Sequence, residues 1–315
     1  MSLGPGTSAL TPTIVDPPRV PIDVDTVRRQ FDRRAQDFAK SDFIVREVAR
    51  RMIERLDVIR LDPARIADVG CGNGASLALL RTKYPRADWI GIDLSPAMLR
   101  WQAGRTLAER ARHWMGRSSA FRICAEAGAL PLIDRSLDLV LSNLMLHWHP
   151  EPHTLFPEWK RLLKTGGLLM FSGFGPDTGK ELRAAAMRAL PQARPLPFID
   201  MHDYGDMMTA AGFSTPVMDV ETIRLTFASA SALVREVRAL GGNPRRDRVR
   251  GLVSGAQARA FYAALDAGPR VDGRLTLTFE VAFGHAWRAP PRERPTKTAQ
   301  SVISVDHLRE QLRGR

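Results

Sequence analysis

The residues able to do chemistry gather just after four short apolar runs. Asp68-Val69-Gly70-Cys71-Gly72-Asn73-Gly74 closes the first. Glycines at 70, 72 and 74 let the backbone turn sharply and approach a ligand with no Cβ in the way, as in a nucleotide-type cofactor loop. Gly70, Gly72 and Ala75 also satisfy the looser dinucleotide pattern, so the loop alone leaves the cofactor open. Asp68 stands two residues before the first glycine. A carboxylate there would repel a pyrophosphate and favour an ammonium or a sulfonium. S-adenosylmethionine carries both cations and no phosphate. Asp93, in Gly91-Ile92-Asp93-Leu94-Ser95, ends the second run. It can accept both ribose hydroxyl hydrogens, a duty common to either cofactor, whereas Ser95 is better placed to cap a helix starting at Pro96. Glu126 and Ala127 follow the third run, with Glu126 a candidate neighbour of an adenine amino group; Asn143 and Leu144 follow the fourth.

Just beyond lie His147, Trp148 and His149. Either histidine could act as a base toward a neutral hydroxyl. In the alternative, Leu146 and Trp148 pack under the next helix and both histidines face solvent. Two basic runs could receive an acidic partner or simply be solvated faces. One is Arg100, Arg105, Arg110, Arg112, Arg117 and Arg122, with Glu109 as its one acid; the other spans Arg235 to Arg250, with six arginines against two acids. Neither has the interleaved aromatics of a single-strand nucleic-acid platform.

Such positions need strands that end together. Apolar runs at 65–69, 89–92, 121–124, 137–141 and 168–172 alternate with helical spacing at 76–83, 96–112 and 153–163. This alternation predicts a doubly wound α/β fold around a mostly parallel sheet with right-handed crossovers. Helices are expected at 178–190 and up to Gly212, strands at 217–227 and 275–287, and helical stretches at 231–240 and 257–265. The two late strands bring the sheet to seven and form an antiparallel edge, with a helical insertion over 228–273. Residues 1–23 hold five prolines and read as a flexible arm; 24–60 carry amphipathic helices, and 289–315 form a polar tail. The globular domain is then 24–288.

The chain has 315 residues, 44% hydrophobic and 25% charged, which excludes a mainly disordered or fibrous protein. No apolar stretch is long enough for a membrane span, and the N-terminus lacks a basic start followed by an apolar core. Two cysteines, without ligand-spaced neighbours, argue against a disulfide framework or a zinc site, and the expected compartment is the reducing cytoplasm. The formal charge of +12 favours acidic partners, but only six of 46 basic residues are lysine. That one-sided arginine excess is better explained by a GC-rich genome and an acidic protein partner than by nucleic-acid binding, and neither a nucleic acid nor a membrane is the expected partner.

Taken together, the glycine loop, Asp93 and the switch-point residues resemble the class I methyltransferases that use S-adenosylmethionine. Within them the chain resembles the BioC family, on Phe31-Asp32-Arg33-Arg34-Ala35, Ser142-Asn143-Leu144 with Trp148, Leu163-Lys164-Thr165-Gly166-Gly167, Phe174-Gly175-Pro176-Asp177-Thr178 with Glu181-Leu182-Arg183, Met201-His202-Asp203 and Gly284-His285-Ala286-Trp287. The resemblance implies methylation of the free carboxyl of malonyl on an acidic acyl carrier protein, the step that opens biotin synthesis. It also implies an N-terminal segment covering the cofactor, with Phe38 and Trp148 facing the substrate. A sister group, the methyltransferase-like assembly factors of respiratory complex I, shares several of these motifs and includes an arginine-modifying activity; a non-catalytic cofactor-binding factor is a third reading. Two departures stand out: Phe38 replaces the usual Tyr, and Gly179 the usual Leu. A carboxylate acceptor is already ionised at neutral pH, so displacement at a sulfonium needs neither metal nor base. An arginine should meet that carboxylate, and Arg183 is the candidate.

Overall fold

The computed structural model describes residues 21–101, 119–190, 192–248 and 253–290. Most of the expected arm, the end of the 96–112 helix, four arginines of the first basic run (Arg105, Arg110, Arg112 and Arg117), Arg250 and all but the start of the tail lie outside them. Five strands are parallel: β1 (Arg65–Val69), β2 (Asp88–Asp93), β3 (Ala120–Cys124), β4 (Leu137–Ser142) and β5 (Leu163–Phe174). Three more follow: β6 (Ser214–Phe227), the two-residue β7 (Arg270–Val271) and β8 (Arg274–Trp287). The order is β3-β2-β1-β4-β5-β8-β6, with β7 hairpinned onto β8. Antiparallel pairing thus occupies this edge, but β8, the last strand in sequence, is inserted between β5 and β6 and runs antiparallel to both. β1 is buried along four of its five residues, as a central parallel strand covered on both faces must be.

Helices cover both faces. On one, α2 (Phe43–Arg55) buries Ile44, Val48 and Met52, and α3 (Leu77–Lys83) buries Leu80 against Ile66, Leu139 and Leu168. On the other, α5 (Leu155–Leu162) and α7 (Met201–Ala210) bury Phe156, Trp159, Tyr204 and Met208 against Val69, Val140 and Phe171. Two further helices frame the strand ends: α1 (Val24–Arg34), capped by the Asp23 side chain, and α4 (Pro96–Trp101). The Ser95 hydroxyl accepts from Met98 N–H at 3.1 Å and so caps α4, as its position predicts.

Beyond β5, α6 (Lys180–Ala189) is tied to β8 by Glu181, which accepts from Thr278 N–H at 3.0 Å and its hydroxyl at 2.5 Å. Thr178 adds a reciprocal pair with the Glu280 backbone at 2.9 and 3.0 Å. Thr178 and Glu181 of these motifs are therefore architectural, and they fix the helix that carries Leu182 and Arg183. Gly179 precedes α6 at φ +67°, a conformation that favours glycine over the usual leucine. Between β6 and β8 lie α8 (Ala230–Leu240) and α9 (Gly255–Asp266), the latter opened by a Ser254/Gln257 capping box and packed along α6. No described helix is long and apolar enough to cross a membrane.

Candidate active site

The carboxyl ends of β1, β2, β4 and β5 open into one cavity of about 1080 Å³, roofed by α1, α6, α8 and α9. Strand order reverses between β1 and β4, and the crevice that opens there suits a ligand. Gly70 and Cys71 both donate to Ile92 O, at 2.8 and 3.0 Å, which folds the loop over β2. Gly70 sits at φ +75°, and a Cβ there would collide with Met145. Gly72 is at φ +54° with its cavity side open: a Cβ would meet nothing nearer than Met98 Cε at 3.7 Å. Gly74 turns the chain at φ +81° but does not reach the cavity wall.

Asp93 lies at the rim of this loop, its Oδ1 accepting from Ser95 N–H and its Oδ2 from Gly72 N–H, both at 2.8 Å. Burial pushes its carboxyl up to about 6, opposed by those backbone donors. Each oxygen keeps a lone pair available to a hydroxyl. Leu94, Ala127 and the half-exposed Glu126 line the wall beside it. The Glu126 carboxylate is 3.7 Å from His149 Nε2, while His149 Nδ1 accepts from Glu151 N–H; burial lowers the pKa of this imidazole.

Asp68 is fully buried at the end of β1 and is not among the residues lining the cavity. Neither of its oxygens has a partner in hydrogen-bond geometry. Burial is the largest effect and pushes the carboxyl up to about 7; Trp89 and Ser76 draw it partly back without forming full hydrogen bonds.

Asn143, Leu144 and Cys71 border the same space. Asn143 is committed to the protein: its Nδ2 donates to Val45 O at 2.9 Å and its Oδ1 accepts from the Ser172 hydroxyl at 2.8 Å. Leu144 adopts φ +51°, held by its N–H to Ser172 Oγ at 3.0 Å. Asn73 reaches across to α2, donating to Asp42 at 2.8 Å; Asp42 is buried and also pairs with Arg46 at 2.7 Å. Asp32 of α1 accepts from the Ser95 hydroxyl at 2.6 Å and Ala97 N–H at 3.2 Å. These two acids, hidden in the sequence among ordinary helix-flanking charges, fasten the N-terminal helices to the cofactor end. Phe38 is buried with Ala35 and Met98 and stacks edge-on to Phe31, which meets Trp148 at 5.2 Å between ring centres.

His147 does not face solvent. It is buried among Trp148, Phe174 and Phe198, its Nδ1 unpartnered, and burial lowers it to about 3. It is therefore a neutral imidazole at physiological pH. Arg183, half-buried at the wall, donates to Pro176 O and forms no salt bridge with another described residue.

The residues fit an adenosyl sulfonium: a cavity-facing glycine bend, a strand-end carboxylate with open lone pairs, and a second carboxylate beneath whose charge has no partner. The family model described as a methyltransferase domain matches residues 67–171, the glycine loop through β5. A chain of the Haloferax volcanii complex with the Trm112 methyltransferase activator shares the fold, at 15% identity and a TM-score of 0.55 over 85% of this chain and all of that one. The molecule is an S-adenosylmethionine-dependent methyltransferase of the class I fold. Its relatives narrow this. The malonyl-[acyl-carrier protein] O-methyltransferase of Laribacter hongkongensis is 44% identical, covering 86% of this chain and 92% of its own; that of Methylovorus sp. is 41% identical over 86% and 91%. The chain belongs to the malonyl-[acyl-carrier protein] O-methyltransferase family.

Proposed function

We propose that this enzyme methylates the free carboxylate of a malonyl group carried on acyl carrier protein, the step that opens biotin synthesis. The observation that carries this reading is the make-up of one cavity: its two carboxylates, Asp93 and Glu126, stand at the end that suits adenosine, and the half-buried Arg183, without an ion-pair partner among the described residues, lines the same space. Bound S-adenosylmethionine supplies a methyl group on a sulfonium. A carboxylate oxygen forms the new bond to that carbon while the sulfur–carbon pair returns to sulfur, leaving a methyl ester and a neutral thioether. No proton moves, so a neutral His147 is compatible with turnover.

In this reading Asp93 takes the ribose hydroxyls and Glu126 faces the adenine amino group. Gly70, Cys71, Gly72 and Asn73 shape the backbone against the cofactor, Gly74 turns the chain behind them, and Leu94, Ala127, Asn143 and Leu144 pack round it. Asp68 supplies a negative field from below. Phe38 and Trp148 close the apolar roof and exclude water, which strengthens the ionic contacts inside. Arg183 receives the carboxylate through donors not used on Pro176. Residues 24–288 act as one catalytic unit, working in the cytoplasm, to which the free Cys71 and Cys124 are suited. Incubating the enzyme with methyl-labelled S-adenosylmethionine and malonyl carrier protein should place base-labile label on the carrier; no ester from intact carrier refutes the reading.

A further inference from the structure

The second basic run, which the catalytic reading leaves unused, borders the mouth of the cavity. Arg194, on the loop between α6 and α7, Arg238, in the last turn of α8, and Arg248, on the loop after it, all line the opening and are exposed. None forms a salt bridge with another described residue. The nearby Asp247 is taken by Arg245 at 2.6 Å. Three separate segments thus present guanidinium groups round one opening, two of them steadied by backbone carbonyls, Arg194 on Ala193 O at 3.3 Å and Arg248 on Asn243 O at 2.8 Å, and none neutralised by a described acid.

That opening is built in advance. Asn243 Nδ2 donates to Arg194 O at 2.6 Å and Arg245 to Pro195 O at 3.1 Å, joining the two loops. Arg246 N–H reaches Pro21 O at 2.7 Å, Asp23 N–H reaches Pro244 O at 3.1 Å, and Gly242 N–H meets the Gln30 side chain at 3.1 Å, fixing both to the N-terminal helix. The Trp148 ring lies so close to Gly241 that no Cβ fits there. Arginines held on a braced frame lose little freedom when they meet a partner.

We propose that this arginine rim is the face on which the acidic carrier protein docks, so that its thioester arm enters the cavity and carries the carboxylate inward. The proposal rests on the function above. Charge decides the occupant: exposed arginines without an ion-pair partner among the described residues suit a surface rich in carboxylates. A single-stranded nucleic acid is the poorer match, since residues 235–250 contain no Phe, Tyr or Trp on which bases could stack.

The test compares two substrates of the full-length enzyme: malonyl carrier protein, and malonyl-pantetheine, which has the arm without the protein. Combining Arg194→Glu, Arg238→Glu and Arg248→Glu should raise KM for the carrier-bound substrate about tenfold or more. It should also flatten that KM's dependence on salt. Turnover of malonyl-pantetheine and calorimetric binding of S-adenosylmethionine should stay at wild-type values, which also reports that the variant folds. Arg86→Glu, just before the start of β2 at the opposite end of the sheet, should change neither substrate. An unmoved carrier KM overturns the proposal, as does an equal loss on both substrates. So does a larger effect from Arg100→Glu, in the other basic run. Wild-type enzyme that fails to methylate malonyl carrier protein at all refutes the functional reading instead.

Discussion

Replacing Asp68 with asparagine should stabilise the cofactor-free enzyme at alkaline pH and remove a pH dependence that the wild type shows. The folded carboxyl holds its proton up to about pH 7, against 3.8 for an ordinary aspartate. Below pH 3.8 the group is protonated in both states and costs nothing. Between 3.8 and 7 the unfolded chain releases the proton while the folded chain keeps it, so stability falls as pH rises, then levels off. The full span corresponds to about 4 kcal/mol, of which about 2 kcal/mol falls above pH 5.5. The asparagine side chain has nothing to titrate and keeps the shape. Urea unfolding of both proteins from about pH 5.5 to about 8.5, without cofactor, should show the wild type losing about 2 kcal/mol more than the variant. Asp93, raised to about 6, titrates in both proteins, and its charge adds to the rise at Asp68, so the difference between the two proteins includes that coupling. Parallel stability curves would refute the reasoning, since they would mean that the carboxylate is solvated or paired.

Gly70→Ala combines a positive φ with a collision against Met145, and should cost about 2–4 kcal/mol in unfolding and weaken cofactor binding in calorimetry; wild-type affinity would refute it. Glu181→Gln turns one acceptor for Thr278 into a donor, so the melting temperature should drop by the equivalent of about 1–3 kcal/mol, with KM for the acyl substrate rising as α6 shifts. His147→Phe should leave kcat within about twofold and the rate level between about pH 6 and 8; a hundredfold loss would show that the imidazole moves a proton after all.

The parallel half of the fold was readable because buried strands and amphipathic helices impose different periods: β1 begins and ends where its apolar run does, at Arg65 and Val69. The places of the glycine loop and Asp93 at strand ends were readable because the turn needs backbone freedom and each apolar run stops there. What escaped is pairing at a distance. The insertion of β8 between β5 and β6 leaves no mark on local periodicity. Asp32 and Asp42 look like helix-flanking acids until tertiary structure sets them against Ser95 and Asn73. His147 could be written as solvent-facing because its burial comes from Phe174 and Phe198, 27 and 51 residues away. Arg238 and Arg248 looked like one charged run, whereas the fold separates them by a braced loop and adds Arg194 from another segment.

The placing of Arg183 has a kinetic consequence. On the proposed reading a malonyl group enters as an anion, and Arg183 in the cavity wall attracts it. Methylation erases that charge and leaves an ester with nothing to hold it electrostatically. The product is thus expelled by the same chemistry that made it. With the cofactor held at Asp93 as proposed, retention should fall instead to the spent cofactor, and its departure should pace turnover after the acyl product has cleared.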